Sequence, residues 1–158
     1  MRLLLATIVA ATSTQVDLRP FIGSVTEIAR PTGAPIILPD WLQVGAVPRR
    51  VYATATASKT GWELELASAP DCGHANACFV ALFVGGRGGR LPGKANATLP
   101  GGIAAQYRPV SCVGSCAPAN LWFVRRGVLY QIQVKNPPRN ARGALLGMAA
   151  QALRRGPR

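Results

Sequence analysis

The segment Val51 to Ala57, reading Val-Tyr-Ala-Thr-Ala-Thr-Ala, alternates with period two. A helix would scatter its apolar residues around the circumference, whereas a strand lines Val51, Ala53 and Ala55 along one face. Trp62 to Leu66 (Trp-Glu-Leu-Glu-Leu) repeats the alternation, and Ser58-Lys59-Thr60-Gly61 between them has the composition of a turn. The pair reads as a β-hairpin with one face turned to a core. Glu63 and Glu65 then share the opposite face.

Other segments extend the sheet. Phe79 to Val84 is a continuous apolar run suited to a central strand, and Asn120 to Arg125 with Val128 to Val134 form a second hairpin around Arg126-Gly127. Pro35-Ile36-Ile37-Leu38-Pro39 is apolar but closed by proline at both ends, which suits an edge strand or a wedge on the core. Asp40 and Trp41 begin a turn. Gly85 to Gly93 reads as a loop, because glycine and proline at that density hold neither a helix nor a ladder. Val16 to Arg30 shows no clear period and reads as an irregular lead-in. Leu145, Met148, Ala149, Ala152 and Leu153 fall on one helical face, Arg154 and Arg155 suit the helix dipole, and Gly156-Pro157 ends the helix. The expected fold is α+β: an antiparallel sheet of about five or six strands with one C-terminal helix packed on it.

The chain has 158 residues, room for a single domain of residues 14–158 after a signal-like start. Residues 1–13 run from Arg2 through the apolar stretch Leu3 to Ala11 into Thr12-Ser13, the order of a secretion signal with cleavage after Ala11 or Ser13. The competing reading is a buried N-terminal strand. The apolar run is about half the ~20 residues that span a bilayer, so no transmembrane helix is expected. Periplasmic or secreted placement follows.

That placement decides the chemistry of the cysteines. Cys72 and Cys78 form one close pair and Cys112 and Cys116 another; of the three possible connectivities, bridges Cys72 to Cys78 and Cys112 to Cys116 are preferred because each pair brackets a turn-forming segment. In a cytosolic chain the same residues, with His74, would instead suit a zinc site, although the wider spacing is poor for one. There is no C-x-x-C for thiol exchange.

Eighteen basic against 6 acidic residues give a formal charge of +12, and removing residues 1–13 takes away one arginine to leave +11. Such a chain attracts anions. Arg87, Arg90 and Lys94 ride on the glycine-rich segment, whose backbone N–H groups could join them around an anion. Arg49-Arg50 and Arg125-Arg126 are neighbours on expected strands, so each pair should divide between opposite faces. GGRGGR occurs once, unlike the long repeats of RNA-binding segments, which argues against nucleic acid as the partner. No metal or other cofactor is expected.

The run at 35–39, the block Cys72-Gly-His-Ala-Asn-Ala-Cys78 with Phe79-Val80-Ala81, and Tyr107-x-Pro109-x-x-Cys112-x-x-x-Cys116 leading to Trp122 and Gly127-Val-Leu-Tyr130 resemble a family of uncharacterised small exported bacterial proteins with two closely spaced cysteine pairs. The resemblance covers about residues 35–153. It implies an envelope domain with disulfides and names no reaction, cofactor or partner.

The reading is a non-catalytic exported domain, structural or binding an anionic envelope component through Arg87 to Lys94. Two alternatives belong to other classes: an enzyme of unfamiliar design using Glu63, Glu65 or His74, and a cytosolic zinc or nucleic-acid-binding protein.

Overall fold

The computed structural model describes residues 3–7, 15–46, 48–73 and 75–158. His74 lies outside them, as does most of the expected signal segment. Among the described residues, twelve strands and two α-helices follow in chain order: β1 (Leu3–Thr7), β2 (Gln15–Asp17), α1 (Arg19–Ala29), β3 (Trp41–Gln43), β4 (Val51–Ala57), β5 (Gly61–Ala67), β6 (Phe79–Arg87), β7 (Ala97–Leu99), β8 (Ile103–Arg108), β9 (Ser111–Val113), β10 (Ser115–Ala117), β11 (Ala119–Arg125), β12 (Val128–Val134) and α2 (Ala141–Arg155).

The fold is α+β. Its main sheet has eight strands in the order β1-β4-β5-β6-β12-β11-β8-β7, seven of them without β1, and every pairing is antiparallel. Both expected hairpins form at their expected residues. The sheet is larger than expected because β8 pairs with β11 and β7 pairs in turn with β8, both too short or too irregular to show a period. Leu3–Thr7 pairs with β4 as the edge strand, with Leu5 opposite Ala53.

One face of the sheet carries the core. Val51, Ala53, Leu64, Leu66, Phe83, Leu121, Phe123 and Ile132 are buried there beneath the two helices and the segment 34–38. The Pro35–Pro39 run is the wedge rather than the edge strand: Ile36, Ile37 and Leu38 are buried, and the flanking prolines keep it out of any ladder. Across the middle of this face run Trp62, Gly85, Tyr130 and Phe123, each directly opposite the next. The rings of Phe123 and Tyr130 stack with centroids 5.2 Å apart.

Three expectations are corrected. Gly85 to Arg87 belong to β6, not to a loop, because the Trp62 indole covers Gly85: a Cβ there would stand 2.6 Å from the ring. The aromatic supplies the packing that the glycine lacks. The lead-in contains α1, whose Phe21, Ile22, Val25, Ile28 and Ala29 are buried against β4 and β5. Its start is held by Asp17, whose carboxylate accepts from the Arg19 backbone N–H at 3.0 Å and from the Arg19 guanidinium at 2.7 Å. Trp41 opens a strand rather than a turn, since β3 pairs with β2. Helix α2 lies as expected, with Leu145, Met148, Ala149 and Ala152 buried and the Asn140 side chain accepting from the Gly143 N–H at 3.0 Å.

Candidate functional site

The helix-free face of the sheet is lined by polar side chains. Strand alternation places Thr54, Thr56, Glu63, Glu65, Gln131, Gln133, Trp122 and Gln106 there. Gln131 donates to the Asn120 amide oxygen at 2.7 Å, and Asn120 in turn donates to the Pro118 carbonyl at 3.0 Å. The Arg108 guanidinium lies 5.1 Å from the centre of the Trp122 ring. Glu63 and Glu65 share this face as their spacing requires, and Glu65 is 7% exposed. Both are engaged by neighbours.

Residues 88–96 cross this face as a strap. A Cβ on Gly89 would lie 2.5 Å from Leu129 Cβ, and one on Gly93 would lie 3.0 Å from Gln106 Nε2. The glycines let the backbone lie flat on the sheet, which is a packing reason for their density. The strap carries the chain from β6 to β7, four places along the strand order and ~19 Å at the usual spacing. This span spreads the three expected anion ligands. Arg90 and Lys94 are exposed on the strap, whereas Arg87 alternates with Phe83 and Gly85 onto the other side, where its guanidinium lies 2.9 Å from the point a Cβ on Gly33 would occupy.

Arg87 has different company. Arg87 and Arg125 flank Val128 in one row across β6, β12 and β11. The Arg125 guanidinium donates to the Leu153 carbonyl at the end of α2 at 3.5 Å, and Arg125 and Arg154 line one shallow cleft. On the other flank Arg30 and Arg158 line a cleft of ≈ 250 Å³ floored by Gly33 to Ile36. Arg158 and Arg155 meet at Asp40, with contacts of 2.5 and 2.8 Å to its two carboxylate oxygens. Six arginines thus gather at one end of the sheet, two of them on the buried carboxylate of Asp40. The hydrogen bond from Arg158, then the charges of Arg155 and Arg158, hold the Asp40 carboxyl below its ordinary range despite its burial. Arg126 lies in the hairpin turn, at φ 49°, and Arg49 and Arg50 precede β4, so neither arginine pair divides between the two faces of a strand as expected.

The opposite end carries the disulfides. Cys72 is bonded to Cys78 and Cys112 to Cys116, leaving no free cysteine. The thiolates that a zinc site requires are therefore consumed, and no group of three metal-binding side chains occurs among the described residues. Cys112 and Cys116 face each other across β9 and β10, forming a finger whose residues 111–117 are all exposed, Val113 by 91%. The Lys135 ammonium donates to the carbonyls of Asn76 and Ala77 within the first disulfide loop. A cleft of ≈ 250 Å³ lies between the two bridges, lined by Asn76, Phe79, Leu82, Cys116, Pro118 and Gln133.

The arginine cluster was illegible as a motif, because residues 30, 87, 125 and 154–158 lie on separate segments. The only sequence signal was the excess of arginine itself. No helix among the described residues is long and apolar enough to cross a membrane. No family model, curated protein or solved structure matches the chain.

Proposed function

We propose that this chain is an exported, disulfide-bonded binding domain without a catalytic role, which holds an anionic polymer of the cell envelope against the arginine cluster. The observation that carries the reading is the grouping of Arg30, Arg87, Arg125 and Arg154 at one end of the sheet, where the carboxylate of Asp40 is already engaged by Arg155 and Arg158. Guanidinium groups are weakly hydrated and planar, so they suit phosphate and sulfate oxygens. Two local disulfides agree with an oxidising compartment, and the signal-like order of residues 1–13 agrees with export.

Retention on immobilised heparin tests the binding. The unaltered protein should elute at a salt concentration that drops clearly for Arg87→Gln with Arg125→Gln, and less for Arg90→Gln with Lys94→Gln. Equal effects of the two double variants would point to bulk charge and remove the cluster from the proposal.

A further inference from the structure

The segment read as the export signal is also the strand that closes one edge of the sheet. Leu3–Thr7 pairs along β4 from Ala55 to Val51. Cleavage after Ala11 or Ser13 would take that strand away. The remaining chain keeps seven strands of the main sheet, both helices, both disulfides and the buried residues from Val16 onward. In that chain β4, paired on its other side with β5, becomes the edge.

That edge has few of the usual guards. Val51–Ala57 contains no proline, no charge and no bulge, and its only partner other than β1 is β5. Edges of this kind accept a further strand through backbone hydrogen bonds. Ala53 and Ala55 turn toward the helix-covered face and are fully buried, so an incoming strand gains from apolar residues opposite them.

Charge selects the occupant. Exposed Arg49 and Arg50 precede β4 and exposed Lys59 follows it. Antiparallel pairing of two copies about Thr54 would set Arg49 of each against Lys59 of the other, between bodies that each carry +11 after processing, so a second copy is disfavoured. A foreign strand with acidic flanks meets the opposite condition at both ends. We infer that export processing uncovers β4 as an acceptor for an extended segment of another protein, apolar at alternate positions and acidic at its ends. This inference rests on the export reading and is independent of the arginine cluster.

The test uses protein purified from the host envelope beside the full chain, with amide hydrogen exchange resolved along β4. The probes are a synthetic peptide carrying Leu3–Thr7 between paired glutamates and its twin with paired lysines. Expected are a mass lacking residues 1–11 or 1–13, fast exchange at alternate β4 amides, and restored protection by the glutamate peptide, which binds about tenfold more tightly than the lysine peptide. The full chain should bind neither. Recovery of the chain with residues 1–13 intact would overturn the export reading and the uncovering with it. A processed chain whose β4 amides are already protected would leave export standing and overturn the acceptor edge, with dimeric mass identifying a second copy as the occupant. Equal affinity for the two peptides would overturn the acidic partner.

Discussion

Trp62 and Tyr130 donate to the same acceptor: the indole Nε1 and the phenol oxygen lie 3.3 and 3.0 Å from the carbonyl oxygen of Pro35. Proline lends no N–H, but its carbonyl takes two donors, which pins the wedge across β5 and β12. Burial pushes the Tyr130 phenol up to about 12, against the opposing charge of Arg125. An ordinary tyrosine ionises near 10. The unfolded chain therefore loses this proton first as pH rises, so the stability contributed by the neutral phenol is complete below about 10 and disappears by about 12. Tyr130→Phe should cost about 1 kcal/mol at neutral pH and flatten that alkaline loss. Denaturant unfolding monitored at pH 7 and across pH 9–12 checks both.

Adjacent glycines on β6 should respond differently to the same substitution. Gly85→Ala drives a methyl group into the Trp62 ring and should destabilise by about 1–3 kcal/mol, with altered tryptophan emission. At Gly86 nothing lies within 4 Å of a Cβ, so Gly86→Ala should fall within about 0.5 kcal/mol of the parent. Thermal melts of the two variants make the comparison.

Asp40 ties the end of the chain to the wedge through Arg155 and Arg158. Its carboxyl ionises below the ordinary value in the folded state, so its contribution is present above about pH 4 and is lost as pH falls through the lowered value. Asp40→Asn should cost about 1–3 kcal/mol near neutrality and remove that acid dependence. It also releases two arginines, so later elution from heparin is expected. Acid titration of the melting temperature and the heparin profile read the two effects separately.

The two disulfides enclose short loops and differ in what they protect. Each restricts the unfolded chain by ~2 kcal/mol. The Cys112 finger is wholly exposed, whereas Cys72 is 6% exposed and Lys135 and Ser68 bond the backbone of its loop. Replacing Cys72 and Cys78 by serine should therefore lower the melting temperature more than replacing Cys112 and Cys116. Calorimetry of the two double variants ranks them.

What the sequence determined by itself was the local structure. Both hairpins followed from period-two alternation around Ser58–Gly61 and Arg126–Gly127, α2 from the spacing of Leu145, Met148, Ala149 and Ala152, and the disulfide pairing from two short separations. In each, the interacting residues are near in the chain, so pattern and turn chemistry suffice. Helix α1 carried the same kind of signal, since Phe21, Ile22, Val25, Ile28 and Ala29 fall on one helical face after Pro20 in the first turn. Gly23 and the β-branched residues blur it in composition, and burial on β4 and β5 stabilises it. Gly85 looked like a loop residue because its compensating partner, Trp62, belongs to another strand. Tertiary structure also decided the candidate sites. Arg30, Arg87, Arg125 and Arg154 become neighbours only when the sheet order and the docking of α2 are fixed, whereas Arg87 and Lys94, close in sequence, are parted by a strap stretched across the sheet. Contacts of that kind depend on which long-range surfaces bury one another, and no short stretch of sequence encodes them.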